Sequence, residues 1–199
     1  ASPLEVQHRI VYIGPAAVQR NPFTERREKG AAAVSLARPH GALGGGLTFR
    51  IDPRLFPRLR STLRVRPADL GERMRDLISE AVHYHASRGI HGAALADQDR
   101  LLLVAEDVGR HNAVDKLKGL ALQRDIPTAD RILLSTGRVS SEMLLKAARM
   151  GVPVVASRTS PTEMAVALAE QLGVTVVGYL RGESLNLYAG QALELPGAS

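Results

Sequence analysis

Four short polar segments carry most of the residues in this chain that could do chemistry. They are Glu106-Asp107-Val108-Gly109-Arg110-His111-Asn112, Ser135-Thr136-Gly137-Arg138-Val139-Ser140-Ser141, Ser157-Arg158-Thr159-Ser160-Pro161-Thr162 and Arg181-Gly182-Glu183-Ser184-Leu185-Asn186. Each contains one arginine, whose planar fork of N–H donors matches the oxygens of a phosphate. Gly109, Gly137 and Gly182 permit close backbone approach, and Ser135, Thr136, Ser140, Ser141, Thr159 and Ser160 add hydroxyls, so a phosphate or pyrophosphate ligand is the chemistry they suggest. None of the segments is a Walker A loop or a Gly-x-Gly-x-x-Gly fingerprint, which removes support for ordinary nucleotide hydrolysis and dinucleotide dehydrogenation. Taken singly, a serine or threonine at such a place can be only a helix cap, and Asp107 or Glu106 can satisfy Arg110 internally. Recurrence at four junctions is what points to an anion pocket.

His111 sits between Arg110 and Asn112, with Asp115 and Lys116 a turn later. Its spacing allows ligand binding, proton transfer or a structural hydrogen bond. His83 and His85 are two apart on a predicted helix and therefore diverge, so together with His91 they do not suggest a metal site. The chain contains no cysteine. A disulfide scaffold, a thiolate zinc site, a cysteine nucleophile and an iron–sulfur cluster cannot be built from it, and no protein-ligated metal is expected.

The 199 residues suffice for one domain, and with 45% hydrophobic but only 4% aromatic residues its core must be aliphatic. Lys and Arg total 26 against 20 Asp and Glu, a formal net charge of +6. The excess is local: residues 1–67 hold 12 basic and 4 acidic side chains, and residues 68–199 hold 14 and 16. A basic front third could meet nucleic acid, an anionic cofactor or an acidic protein surface, or could be a solvated face. No aromatic platform accompanies the charge, so nucleic acid is the weaker partner. No apolar run approaches the length that crosses a bilayer and no signal pattern opens the chain, so a cytoplasmic protein without membrane contact is expected.

The elements that must position the four segments are readable from about Ala68 onward. Residues 68–87 read as a helix, with Leu70, Met74, Leu77, Ile78 and Ala81 at spacings of three and four. His91 to Ala96 and Leu101 to Ala105 read as a hairpin, followed by a helical stripe of Val114, Leu117, Leu120 and Ala121. Ile132 to Leu134, Val152 to Ala156 and Val174 to Val177 read as buried strands separated by two helices. The first helix carries Glu142 in its opening turn and stops at Gly151; the second starts on Ser160 as cap, with Pro161 and Glu163 after it, and stops at Gly173. Strand, helix, strand, helix, strand implies two right-handed crossovers and a partly parallel sheet, whose strand carboxyl ends would bring the four arginines together. Residues 1–67, with possible strands at Arg9 to Ile13 and Leu47 to Ile51, read as a small divergent accessory region. The expectation is therefore a three-layer α/β domain over residues 68–190 with a mixed sheet, a basic N-terminal region over 1–67 and a tail over 191–199.

The motifs resemble the FdhD/NarQ family, the accessory proteins of formate dehydrogenase maturation. The likeness rests on the run from Glu106 to Lys116, on Ser135 to Glu142, on Ser160-Pro161-Thr162, on Arg181-Gly182 with Asn186 and Tyr188, and on an opening at Gly89 to Leu95. It implies a cytidine-deaminase-like fold, a homodimer and binding of the guanine-dinucleotide form of the molybdenum cofactor, for which GDP is a mimic. It implies sulfur transfer to that cofactor from a cysteine desulfurase, with formate dehydrogenase as recipient. By the same resemblance Tyr179, Leu180, Arg181, Gly182, Glu183 and Ser184 match the stretch that holds the cofactor. Gly109, Arg110, His111, Asn112, Ser135, Thr136, Gly137, Arg138, Ser140, Ser160, Thr162 and Asn186 complete the candidate site. Family members that transfer sulfur carry a Cys-x-x-Cys loop ahead of the helix at Ala68, and this chain has no thiol to hold a persulfide. Its residues therefore support cofactor binding, as a chaperone, and leave the transfer step without a carrier. The competing readings are a non-catalytic nucleotide-binding or basic nucleic-acid- or protein-binding module, and a phosphate-ester enzyme using His111 and Asp107.

Overall fold

The computed structural model describes residues 11–13, 56–87, 89–182 and 184–194. The expected strand at Leu47 to Ile51, Glu183, residues 195–199 and most of the basic front third lie outside them. The described elements are strands β1 (Val11–Ile13), β2 (His91–Ala96), β3 (Leu101–Asp107), β4 (Ile132–Ser135), β5 (Val154–Ser157), β6 (Thr175–Arg181) and β7 (Ser184–Ala189). The helices are α1 (Pro67–Glu80), α2 (Val82–Ala86), α3 (Arg110–Gln123), α4 (Ser141–Arg149) and α5 (Glu163–Leu172). No helix among them is long and apolar enough to cross a membrane.

All seven strands form one sheet in the order β1-β7-β6-β5-β4-β2-β3. β4 and β5, and β5 and β6, pair in parallel, while the pairs β1 with β7, β6 with β7, β2 with β4 and β2 with β3 are antiparallel. The two crossovers expected from the sequence account for the parallel part, and the hairpins on either side account for the rest. Strand alternation divides the core into two layers. Leu133 and Val155 join Leu117, Leu144 and Leu172 under α3, α4 and α5. Ile132, Leu134, Val154 and Ala156 join Leu70, Met74 and Leu77 under α1 on the opposite face. This is the three-layer α/β architecture with a mixed sheet.

Four details differ from the sequence reading. The helix expected over 68–87 breaks at Ala81, because the Glu106 carboxylate on β3 accepts the amides of His83 at 3.2 Å and Tyr84 at 2.6 Å and starts a separate turn there. The cap of α5 is Thr162, which accepts the Ala165 amide at 3.2 Å, not Ser160. Pro161 instead bridges Val139, and the Thr162 amide donates to the Val139 carbonyl at 2.9 Å, which holds Ser160 and Pro161 extended and delays the helix. β7 was read only as a polar junction, although Leu185 and Leu187 alternate with Asn186 and Tyr188 at the strand period. Ala192 and Leu193, placed in the tail by the sequence, are buried under α1, and Leu193 bridges Val65.

Gly173 ends α5 with φ +71°, and a Cβ there would stand 2.8 Å from the Leu59 carbonyl oxygen. Gly119 lies inside α3 with nothing within 4 Å of a Cβ. Gly119→Ala is therefore expected to raise unfolding free energy by about 0.5–1 kcal/mol. Gly173→Ala should lower it by at least about 1 kcal/mol. Leu133→Ala, with Leu133 fully buried, should cost about 2–5 kcal/mol. Urea unfolding of the three variants measures all of these, and equal midpoints for the two glycine variants would contradict the geometry.

Candidate anion site at the carboxyl edge of the sheet

The register brings the four arginine-bearing junctions to one edge. Ser135 at the end of β4 is level with Ser157 at the end of β5 and with Ala93, and His91 two residues before Ala93 is level with Asp107 at the end of β3. Val177 of β6 is level with Ala156, so β6 runs on past this edge to Arg181 and returns as β7. The arginines follow the strand order: Arg181, Arg158, Arg138, Arg110. From β6 to β3 is four strand spacings, about 19 Å. The guanidinium-bearing loops therefore form a row along the edge, where the sequence reading had expected them to gather.

Many polar residues of the motifs are spent on building the loops. The Asp107 carboxylate accepts the Gly109 amide at 2.9 Å and the Asn112 side-chain amide at 3.1 Å, and lies 2.6 Å from the Lys116 ammonium. The hydrogen bond from Lys116, then those from Gly109 and Asn112, hold its pKa down to about 2. Asn112 and Lys116 thus fasten the β3–α3 turn. Thr136 accepts the Gly92 amide on its hydroxyl at 3.0 Å and gives its own amide to the Gly92 carbonyl at 3.0 Å. Ser135 accepts the Gly137 amide at 3.1 Å, the Ser157 hydroxyl donates to the Gly137 carbonyl at 2.7 Å, and the Arg158 amide donates to the Ser135 carbonyl at 3.2 Å. These bonds stitch the ends of β2, β4 and β5 together.

His111 joins two helix N-termini. Its Nε2 is 2.7 Å from the hydroxyl of Ser140, which caps α4 by accepting the Met143 amide at 3.3 Å, and its Nδ1 is 3.4 Å from Glu142. A proton on Nδ1, facing the carboxylate, leaves Nε2 to accept from Ser140, and that assignment satisfies every group. Burial pushes the His111 pKa below its ordinary value; Glu142 pulls it up and Arg110 and Lys146 push it down. Of the roles left open by spacing, the contacts display the structural one.

What remains unspent is concentrated at Arg110 and His91. Arg110 Nε and His91 Nδ1 are buried and have no hydrogen-bond partner. Both border Gly137, where a Cβ would stand 2.9 Å from Arg110 Cβ and 3.2 Å from His91 Nδ1. A buried donor without a partner is costly, and an anion reaching it would relieve that cost. Burial, and then the charge of Arg110, lower the His91 pKa. At the far end of the row Tyr179 is held at φ 51°, 43% exposed, with its amide on the Thr159 carbonyl at 3.2 Å. A cavity of about 370 Å³ flanks β3 and α3, but its cation, Lys116, is already paired with Asp107.

Of the predicted site residues, Gly109, Arg110, His111, Ser135, Thr136, Gly137, Arg138 and Ser140 lie at the β3, β4 and α4 end of the edge. Tyr179 and Arg181 lie at the end of β6, Gly182 follows in the turn, and Ser184 opens β7. Leu180 is fully buried under α1 and can offer a ligand only its backbone. Asn186 sits within β7 opposite Gly178, Ser160 is in the β5–α5 loop, and Thr162 is a cap. His91, Ser157 and Tyr84, whose hydroxyl accepts from Arg158 at 3.5 Å, were not predicted as site residues. The available signal for His91 and Ser157 was their place at the start of β2 and the end of β5, on the ligand-binding edge. Among the described residues no group of three or more His, Asp or Glu is arranged to hold a metal ion.

The fold and the edge define a three-layer α/β protein with an arginine-bearing polar edge at its strand ends. The chain belongs to the FdhD/NarQ family, whose model matches residues 17–193. It is 47% identical over 115 residues to the sulfur carrier protein FdhD of Bacillus pumilus, covering 58% of this chain and 44% of that protein. It is 39% identical over 140 residues to that of Bacillus subtilis, covering 70% and 53%. The crystal structure of a Desulfotalea psychrophila protein assigned as a formate dehydrogenase accessory protein superimposes with a TM-score of 0.63 at 35% identity, over 68% of this chain and 56% of that one. The chain thus spans about half the length of the curated relatives it matches.

Because burial lowers the pKa of both His91 and His111 from 6.5, the folded state holds each imidazole neutral while the unfolded chain protonates it more readily. Their contribution to stability is present above about pH 6.5 and is lost as the pH falls through the lower folded values. Urea unfolding should show stability declining from pH 7 to pH 5, with a shallower decline in His91→Gln and His111→Gln variants. Imidazole midpoints above 6.5 in an NMR titration would contradict the assignment.

Proposed function

We propose that this chain is a cofactor-binding member of the formate dehydrogenase maturation system that holds the guanine-dinucleotide form of the molybdenum cofactor and does not itself carry sulfur. The observation that supports this most strongly is the pair of buried, unpartnered nitrogen atoms, Arg110 Nε and His91 Nδ1, packed against Gly137. That donor set fits a pyrophosphate. Arg110 and Arg138 would bind phosphate oxygens, assisted by the free first-turn amides of α3 and α4. A site about 19 Å long, reaching from Arg110 to the exposed Tyr179 and Arg181 at the β6–β7 turn, suits an extended dinucleotide better than a single phosphate.

When bound, the cofactor supplies the molybdenum centre that accepts sulfur. The protein's part is to hold and orient it. Thr136, Ser135 and Ser157 fix the loop that carries Gly137 and Arg138, Asp107 and Asn112 fix the loop that carries Arg110, and His111 keeps the two helix N-termini in register. Persulfide needs a nucleophilic, polarisable thiolate, and neither serine nor histidine substitutes for it. With no cysteine in the chain, the sulfur is brought by another polypeptide, such as a cysteine desulfurase, and formate dehydrogenase receives the finished cofactor.

Calorimetric titration with GDP tests the pocket. Binding should weaken roughly tenfold or more in Arg110→Ala, which removes a charge-assisted phosphate contact, and in Gly137→Leu, whose side chain would displace Arg110 and His91. Absence of heat at millimolar GDP would overturn the reading. Incubation with a desulfurase and radiolabelled cysteine should leave no label on this chain, and label surviving denaturing, non-reducing separation would show that it carries sulfur after all.

A further inference from the structure

Residues 57–66, Pro-Arg-Leu-Arg-Ser-Thr-Leu-Arg-Val-Arg, run as an extended strap with a strict alternation of exposure. Leu59, Ser61, Leu63 and Val65 turn inward, while Arg58, Arg60, Thr62, Arg64 and Arg66 are exposed. The strap is fastened along the edge of the sheet opposite the arginine row. The Leu59 amide donates to the Leu172 carbonyl at 2.8 Å where α5 ends, and the Ser61 hydroxyl donates to Asp130 at 2.6 Å, just before β4. The Gln98 side chain, in the β2–β3 turn, donates to the Arg64 carbonyl. Val65 exchanges bonds with the chain's end, its amide on the Ala192 carbonyl at 2.8 Å and its carbonyl accepting the Glu194 amide at 3.0 Å.

Two kinds of group are left over. The amides of Arg60, Thr62 and Arg64 find no acceptor among the described residues. Arg66 is paired with Asp69 at 2.7 Å, whereas no described carboxylate lies within 4.0 Å of the guanidinium groups of Arg58, Arg60 or Arg64. An extended segment whose amides at 60, 62 and 64 have no acceptor among the described residues, with arginines at three of the four outward positions 58–64 and one carbonyl of that edge, Arg64, taken by Gln98, is half of a strand pair. Same-side residues on it repeat about every 6.6–6.8 Å, the repeat of alternate side chains on an opposing strand.

We propose that this strap docks an extended acidic segment of a partner protein by strand addition, with main-chain hydrogen bonds to the Arg60–Arg64 edge and alternate Asp or Glu side chains on Arg58, Arg60 and Arg64. The free amides favour a peptide over a nucleic acid, because a partner main chain offers carbonyls at the matching repeat. The ring of Phe56, next to the strap, offers no open stacking face, because Arg149 lies 5.1 Å from its centroid. The surface lies across the sheet from the anion site, so partner and anion are compatible.

Fluorescence anisotropy on the full chain tests this with a labelled octapeptide of alternating Glu and Val. The peptide should bind at low salt and weaken as salt rises. The triple variant R58A/R60A/R64A, its fold checked by circular dichroism, should bind roughly tenfold or more weakly, since it removes all three exposed ion pairs. Two further peptides, N-methylated at odd or at even positions, leave the protein unaltered. One should lose binding and the other keep it, as strand addition through a single edge requires. Equal binding of both methylated peptides, equal binding of an oligothymidylate, or no binding of the parent peptide would each overturn the proposal.

Discussion

The junction at the end of β4 is the constraint on which the rest of the site depends. There the Thr136 side chain and amide both bond to Gly92, and Ser135 and Ser157 between them hold the amide and carbonyl of Gly137. Three strands are thereby tied at one level, and the loop is turned so that its side-chain-free residue faces Arg110. A glycine is required by proximity, since a Cβ at Gly137 would overlap the Arg110 side chain. Neighbouring hydroxyls already satisfy the loop's own backbone, and Arg110 Nε and His91 Nδ1 are left buried without a partner.

Polar residues at this edge therefore fall into two sets with different physics. Asp107, Asn112, Lys116, Ser135, Thr136, Ser157 and Thr162 are consumed in fixing turns and caps, and their contribution is rigidity. Arg110 Nε and His91 Nδ1 are held by that frame without a hydrogen-bond partner, and donors that are already in place need not be ordered when a partner arrives. The same economy appears at the opposite edge, where the inward side of the 57–66 strap is secured by Leu172, Asp130 and Ala192 and its outward side is left charged.

The absence of cysteine acquires its meaning only in this setting. In an arbitrary α/β domain it would exclude disulfides and thiolate metal sites and say little else. In an FdhD/NarQ family member whose curated relatives are sulfur carriers, it removes the side chain whose thiolate could hold a persulfide.

Much of the domain was written in local sequence. Short continuous apolar runs marked five of the strands and the period-3.6 pattern marked the main helices, because burial of an aliphatic segment needs little information beyond residue type and spacing. Gly173 announced the end of α5 for an equally local reason, its left-handed φ. The arginine-bearing junctions and the anion chemistry were also legible, since residue type alone specifies donors. Tertiary structure decided which donors remained free. Nothing adjacent in sequence reveals that Glu106 interrupts the helix at Ala81, that Val139 moves the cap from Ser160 to Thr162, or that Asn112 faces Asp107 and not a ligand. Hydrogen bonds between residues tens of positions apart are set by strand order and register, and those are properties of the packed sheet, not of any segment within it.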